Sequence, residues 1–177
     1  EIMPSLVGSE MCIRDRSKGV DFISADKDVI SFIEVKNCIG DEGNNRWRIV
    51  PDNQKRDTTA TKTEVKGRES LDIEVSKKIA MTFAVLSGAR SFGDRKESLD
   101  ELIDTIAAVF SDEFAKNKMK KYVILFLEGN FGTHTNSKKM IMEKLQRSIS
   151  KKMRWLDCKV SVIDSSTYNE KIFKIVS

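Results

Sequence analysis

The sequence is poor in the residues that many metal centres and covalent active sites use. It contains one histidine, His134, so a zinc site built from several histidines is excluded. A Ser–His or Cys–His catalytic pair would have to use that residue. The three cysteines, Cys12, Cys38 and Cys158, are odd in number and widely spaced, with no Cys-x-x-Cys motif. We therefore expect no disulfide framework and a reducing, cytoplasmic location.

Glycine-rich phosphate loops and membrane-length apolar segments are missing as well. The nine glycines form neither G-x-x-x-x-G-K-[S/T] nor G-x-G-x-x-G, which excludes the common nucleotide-binding loops. Apolar runs such as residues 122–127 fall far short of the roughly 18–20 residues that a membrane-spanning helix needs. The chemistry left to this chain is that of carboxylates and lysines.

The residues that are present suffice for one folded domain. The 177 residues are 40% hydrophobic and 33% charged, with 31 Lys and Arg against 27 Asp and Glu, a net charge of +4. Positive charge is concentrated in residues 136–154, where seven Lys or Arg and one Glu give 7 − 1 = +6. This excess is typical either of a surface that follows a phosphate backbone or of a solvated helix face.

The first sixteen residues differ from the rest. Residues 4–16 closely resemble a translated library adapter, so we expect residues 1–16 to be non-native and the natural N-terminus to be missing upstream of Ser17. The segment has no apolar core or cleavage site of a signal peptide. The alternative is a genuine short N-terminal helix.

Apolar periodicity from residue 17 onward predicts an α/β domain with a mixed sheet flanked by helices. Strands are predicted over 20–25, 29–36, 122–127 and 159–164. Helices are predicted over 73–87 (ending at Gly88), 98–117 and 136–153, the last with Met140 on its apolar face. Residues 37–70 form a long loop or insertion with a possible short strand at 46–50, and residues 167–176 a short helix or strand. The predicted order is β-β-(insert)-α-α-β-α-β.

The first two predicted strands carry the charged residues of greatest interest. A two-residue turn at Lys27 and Asp28 pairs residues whose numbers sum to 55, which places Asp21 directly opposite Glu34. Glu34 and Lys36 are two residues apart and share one face of their strand. Opposed carboxylates repel unless a cation lies between them, and a divalent metal together with Lys36 would supply that charge. A solvent-facing edge strand with alternating charges is the alternative.

Asp21, Glu34 and Lys36, on hydrophobic strands and followed by an α-then-β order, resemble the PD-(D/E)XK nuclease superfamily. Val20 stands where that superfamily often has proline. A further acidic residue that its members often take from a preceding helix would fall in the adapter-like segment. The resemblance implies that Asp21 and Glu34 hold Mg²⁺ or Mn²⁺, and that Lys36 orients or deprotonates the attacking water. It also implies that Lys77 and Lys78 contact phosphate. Within the superfamily, residues 122–131 look like the late core strand of type II restriction endonucleases.

The function expected from this resemblance is a metal-dependent DNA endonuclease of the restriction or phage-defence type, with a restriction-endonuclease-like fold. Candidate nucleic-acid contacts are Lys77, Lys78, Arg46, Arg48, Lys138 and Lys139. The expected partner is DNA, with a possible homodimer for cutting both strands and no membrane association. The alternatives are a repair or junction-resolving nuclease of the same fold, and a non-catalytic nucleic-acid-binding module or inactive fragment.

Overall fold

The computed structural model describes residues 19–55, 68–92 and 100–168, together with the backbone of residues 7–8. The elements in chain order are β1 (Val7–Gly8), β2 (Phe22–Asp26), β3 (Val29–Asn37), α1 (Glu42–Asn45), β4 (Gln54–Lys55), β5 (Arg68–Glu69), α2 (Leu71–Phe92), α3 (Asp100–Val109), α4 (Asp112–Ala115), β6 (Lys120–Glu128), α5 (Lys138–Lys152) and β7 (Lys159–Ile163). The chain is α/β, as predicted.

The main sheet has the strand order β1-β2-β3-β6-β7, and four of its five strands are five residues or longer. Pairing is antiparallel across β1-β2-β3 and parallel across β3-β6-β7, which confirms the predicted mixed sheet. β3 and β6 pair along nine residues in the middle of the sheet. That position explains why their sequences are nearly continuous apolar runs, since central parallel strands are buried on both faces.

The β2–β3 hairpin has the register that the sequence predicts. Phe22 pairs with Ile33 and Asp26 with Val29, so paired numbers sum to 55, and Lys27 and Asp28 form the turn. The Lys27 amide donates to Asp26 Oδ1 at 2.7 Å, which helps to fix the turn. Because side chains alternate with a period of two, this register determines which residues lie beside Glu34.

Helix α2 runs from Leu71 to Phe92 and buries Val75, Ile79 and Leu86. The predicted stop at Gly88 is wrong. A glycine inside a helix costs only about 1 kcal/mol relative to alanine, and packing of the surrounding turns offsets it. One such contact joins Phe83 of α2 to Phe32 of β3, with ring centroids 5.2 Å apart.

The single helix predicted over 98–117 is two helices in the described part of the chain, α3 and α4. Ser111 lies between them with extended backbone, and its hydroxyl accepts the Phe114 amide at 3.1 Å. Serine competes with helical backbone bonds and caps a new helix, which explains the break. The predicted cap at Ser98 lies outside the described residues.

Helix α5 connects the parallel strands β6 and β7 and contacts α2. Ser137 caps it by accepting the Met140 amide at 3.3 Å. Its buried side chains are Ile141, Met142, Leu145 and Ile149. Met140, predicted on the apolar face, is 46% exposed instead. It precedes that face by one residue, a 100° rotation on a helix.

The insertion predicted at 37–70 contains α1, a series of turns and the two-stranded β4–β5 ribbon, with residues 56–67 outside the described part. The possible strand at 46–50 is wrong, because these residues form turns. Buried Cys38 and Ile49 anchor the segment to the core.

Of the element predicted over 167–176, only residues 167–168 are described. No described helix is long and apolar enough to cross a bilayer.

Candidate active site

The three residues singled out in the sequence meet at the end of the hairpin opposite its turn. Asp21 directly precedes β2, and the register places it across from Glu34 of β3. Asp21 Oδ2 accepts the Val35 amide at 2.8 Å, which turns this carboxylate toward the edge of β3. The predicted hairpin register is confirmed as far as the Phe22–Ile33 pair, and Asp21 and Glu34 are the next residues along the two chains.

Glu34 is almost completely buried, with 1% of its surface exposed. Its Oε1 accepts both Lys36 Nζ and Lys78 Nζ at 2.6 Å, whereas its buried Oε2 has no hydrogen-bond partner in the described structure. Burial raises the pKa of Glu34, and the nearby Asp21 charge adds to the rise, although both lysines oppose it. A buried carboxylate oxygen without a partner costs about 1–3 kcal/mol, so it is a place where an added ligand gains binding energy.

Lys78 lies between the two carboxylates. Its ammonium, supplied by α2, is 2.6 Å from Glu34 Oε1 and 3.5 Å from Asp21 Oδ1. The superfamily resemblance implies a phosphate contact for this residue, and in the described structure its ammonium pairs with the two carboxylates. Its neighbour Lys77 has a 64% exposed side chain that pairs with Glu69, outside the cluster. The two lysines are one residue apart and therefore project from different faces of the helix.

Glu74 belongs to the cluster and was missed by the sequence analysis. Its Oε1 accepts Lys36 Nζ at 3.0 Å, and its Oε2 pairs with Arg48. Burial by itself raises the pKa of Glu74, but Lys36 and Arg48 outweigh it and hold that pKa below its ordinary value. The sequence feature that could have identified Glu74 is its four-residue spacing from Lys78, which places both residues on one helix face.

Lys36 is held on both sides by carboxylates. Burial by itself lowers the pKa of Lys36, but its hydrogen bonds to Glu34 and Glu74 outweigh that and raise it. The ammonium is therefore protonated at neutral pH and acts as a donor in this arrangement. In this position its ammonium can donate to a water or a phosphate oxygen.

The cluster balances three carboxylates, on Asp21, Glu34 and Glu74, against three cations, on Lys36, Lys78 and Arg48. Among the described residues, no group of three or more His, Cys, Asp or Glu side chains is placed to hold a metal ion. The oxygens that could bind a cation are those of Asp21 and Glu34, including the unpartnered Oε2. These are hard ligands of the kind that Mg²⁺ and Mn²⁺ prefer.

The remaining candidate nucleic-acid contacts are distributed unevenly. Arg48 is tied to Glu74 and to Asn45, whereas Arg46 is exposed. Lys138 pairs with buried Asp164, and Lys139 is exposed at the start of α5. Burial by itself raises the pKa of Asp164, but Lys138, Thr167 and Ser166 outweigh it and hold that pKa far below its usual range.

Part of the positive charge of α5 also stabilises the fold. Lys152 Nζ lies 2.6 Å from Asp52 Oδ1 and 2.8 Å from Asp72 Oδ2. Two of the seven basic residues in 136–154, Lys138 and Lys152, are therefore neutralised within the protein. The surface open to an external anion is smaller than the sequence suggests.

Comparison with known proteins identifies the family but not an activity. No curated protein and no solved structure matches the chain. A family model described as "Family of unknown function (DUF6661)" matches residues 12–177, nearly the whole chain, and the protein therefore belongs to that family.

Proposed function

We propose that this protein is a metal-dependent endonuclease that hydrolyses DNA phosphodiester bonds, of the restriction or phage-defence type. One observation carries the proposal: buried Glu34, opposite Asp21 and two residues before Lys36, keeps one carboxylate oxygen without a hydrogen-bond partner among the described residues. A buried charged group rarely keeps a polar atom without a hydrogen-bond partner unless the site binds a ligand.

The sheet supports the restriction-endonuclease-like fold as the finer description. The antiparallel β2–β3 hairpin carries Asp21, Glu34 and Lys36, and β6 then adds parallel to β3 after helix α2. This arrangement fits the PD-(D/E)XK resemblance in the sequence. It leaves the three side chains at one end of the central strands, where a DNA backbone can approach.

Asp21 and Glu34 would hold Mg²⁺ or Mn²⁺, which supplies Lewis-acid stabilisation of the charge on the phosphate. The protein's own side chains position the water and the phosphate. Lys36, held between Glu34 and Glu74, donates a hydrogen bond to the attacking water or to a phosphate oxygen. Arg48 pairs with Glu74 Oε2 and holds this carboxylate beside Lys36, so that Lys36 stays fixed.

A non-catalytic nucleic-acid-binding module is the second candidate, and one observation favours it. Three cations already balance the three carboxylates, so the cluster is a neutral ion-pair network without a metal. In that case Lys78 is a permanent member of the cluster and Glu34 serves the fold. A repair or junction-resolving nuclease would use the same residues as the restriction-type enzyme.

Incubation of supercoiled plasmid with the full chain and Mg²⁺ tests the proposal, beside a Glu34→Gln variant that keeps the size of the side chain and removes its charge. We expect nicking or linearisation by the wild type and none by the variant. Equal cutting by both proteins contradicts the role of Glu34. An absence of cutting by either supports the binding module.

The products separate the nuclease types. Discrete fragments from the plasmid support a restriction enzyme, whereas preferential cutting of branched DNA supports a repair or junction-resolving nuclease. If a homodimer cuts both strands, the protein should have twice the mass of one chain when it is measured by size-exclusion chromatography with light scattering. We infer a reducing, cytoplasmic location for this activity from the three widely spaced cysteines, which include no Cys-x-x-Cys motif.

A further inference from the structure

A cavity of about 350 Å³ lies between the turns that follow α1 and the loop that follows β6. Its floor is formed by the buried apolar side chains of Ile49, Phe131 and Ile141. Arg46, Thr135 and Lys144 are exposed and line its rim. We call it the Arg46 cavity. Its volume is at the lower end of the range found for small-molecule sites, roughly 300–1,000 Å³.

The Arg46 cavity is positively charged. Neither its lining nor that of the adjoining open hollow at Asn130 and His134 includes an aspartate or glutamate. Within the described part of the chain Arg46 forms no ion pair, and Lys144 Nζ donates only to the neutral amide oxygen Asn136 Oδ1, at 3.2 Å. Two cations without counter-charges beside an apolar floor favour an anion that has an apolar part.

The cavity lies beside the proposed active site. Its two walls leave the sheet after β3 and β6, which are adjacent and parallel, and so leave at the same edge. The walls are joined by a hydrogen bond from the Asn130 amide to Glu42 Oε1 at 3.0 Å. Arg46 is two residues before Arg48, which binds Glu74 next to Lys36, so the two arginine Cα atoms are at most about 7.6 Å apart.

We propose that the Arg46 cavity binds one unpaired nucleotide of a DNA strand, next to the phosphate bound at Asp21, Glu34 and Lys36. The base lies on the floor of Ile49, Phe131 and Ile141, and the phosphate contacts Arg46 and Lys144. A base that is paired and stacked in a duplex cannot enter such a cavity, so the preferred substrate is single-stranded, flapped or branched DNA. This inference rests on the proposed nuclease function and narrows its substrate.

Binding measured without metal tests the cavity independently of cleavage. The probes are a short fluorescein-labelled single strand and a hairpin duplex of matching sequence, added to the full chain carrying Glu34→Gln in EDTA and followed by fluorescence anisotropy. We expect tighter binding of the single strand. Arg46→Ala and Lys144→Ala should each weaken that binding about tenfold, as expected for loss of a charge-assisted hydrogen bond.

Two further variants separate a specific site from general charge. Lys151→Ala removes another exposed cation, near the far end of α5, and should change single-strand affinity less than about twofold. Thr135→Trp fills the rim without removing charge, and should weaken single-strand binding but not duplex binding. Circular dichroism of each variant confirms that it is folded.

Three results would overturn the cavity proposal. The Thr135→Trp variant could bind the single strand as tightly as the protein without that substitution, or Lys151→Ala could weaken binding as much as Arg46→Ala. The third is equal affinity for the single strand and the duplex. Its failure is distinguishable from failure of the nuclease proposal. Cavity-dependent binding without any Mg²⁺-dependent cutting refutes only the nuclease activity. Cutting with cavity-independent binding refutes only the nucleotide site.

Discussion

Asp72 and Glu34 are two of the buried carboxylates that pair with lysines in the described part of the chain, and they differ in how completely their oxygens are hydrogen-bonded. Asp72 of α2 is 0% exposed, and its oxygens accept hydrogen bonds from Ser70, Ser148, Lys152 and the Asp52 amide. Glu34 of β3 is 1% exposed and leaves Oε2 without a partner in the described structure. Burial and a lysine neighbour are common to both, so neither by itself identifies a functional site.

The pKa directions of the two carboxylates follow this difference. Burial by itself raises the pKa of Asp72, but hydrogen bonds from Lys152, Ser70 and Ser148 outweigh it and hold that pKa below its ordinary value. Burial of Glu34 is not outweighed, and its pKa is raised. Asp72 joins the turn at Asp52, helix α2 and helix α5, so we infer that it serves the fold. We infer that Glu34, which keeps Oε2 without a partner in the described structure, serves to bind a ligand.

The largest expected effect is the loss of cleavage in Lys36→Met. Removing the donor that positions the water or phosphate should lower the cleavage rate about 10²–10⁴-fold, the range for a positioned proton-transfer or donor group. The fold should survive, because Glu34 keeps Lys78 and Glu74 keeps Arg48. Single-turnover cleavage and thermal melting measure the two effects. Lys27→Met, at the exposed turn at the opposite end of the same hairpin, is the matched control. An unchanged rate in folded Lys36→Met refutes the role of this lysine.

The next largest effect is on stability, at Asp72. Asp72→Ala leaves Lys152 and two serine hydroxyls without their buried acceptor, and should lower the free energy of unfolding by about 3 kcal/mol. Urea denaturation followed by circular dichroism measures it. Asp112→Ala breaks the exposed Lys116–Asp112 pair and should leave the midpoint nearly unchanged. Equal midpoints for the two variants would show that the Asp72 network does not stabilise the fold.

The third prediction concerns the pH dependence of that loss. Because the pKa of Asp72 is lower in the folded protein, its contribution to stability is present above its unfolded pKa and disappears as the pH falls through its folded pKa. The difference in unfolding free energy between wild type and Asp72→Asn should therefore shrink on acidification from neutral pH to below about 4. Urea titrations at several pH values check it. A difference that is constant or grows toward acid contradicts the assignment.

The smallest expected effect is on metal affinity, at Lys78. Lys78→Met removes an ammonium that neutralises Asp21 and Glu34, so apparent affinity for Mn²⁺ should rise about tenfold, or about 1.4 kcal/mol. The readout is the rise in melting temperature with Mn²⁺ concentration, which needs no cleavage. Lys77→Met, next in sequence but outside the cluster, should behave as wild type. Identical Mn²⁺ responses in all three proteins support the metal-free network and count against the metal site.

Local sequence was enough to predict the central geometry of the candidate site. A two-residue turn between apolar strands fixes the β2–β3 register, and the period of two then places Asp21, Glu34 and Lys36 together. Ser137 likewise marks the start of α5, since serine is a strong helix cap. These features depend on residues within about fifteen positions of each other, which is why a single sequence reveals them.

Long-range packing decided the rest. The sequence does not indicate that Lys78 enters the carboxylate cluster while Lys77 remains outside, because that depends on how α2 is rotated against the sheet. Glu74, Arg48 and Lys36 come from three separate segments, and their contact follows from the fold of the insertion. The same holds for Lys138 and Lys152, whose charges are neutralised by Asp164 and Asp72. The sequence by itself determined which charged residues share a strand face; the tertiary structure decided which of them are neutralised, because ion pairing requires contact across the folded chain.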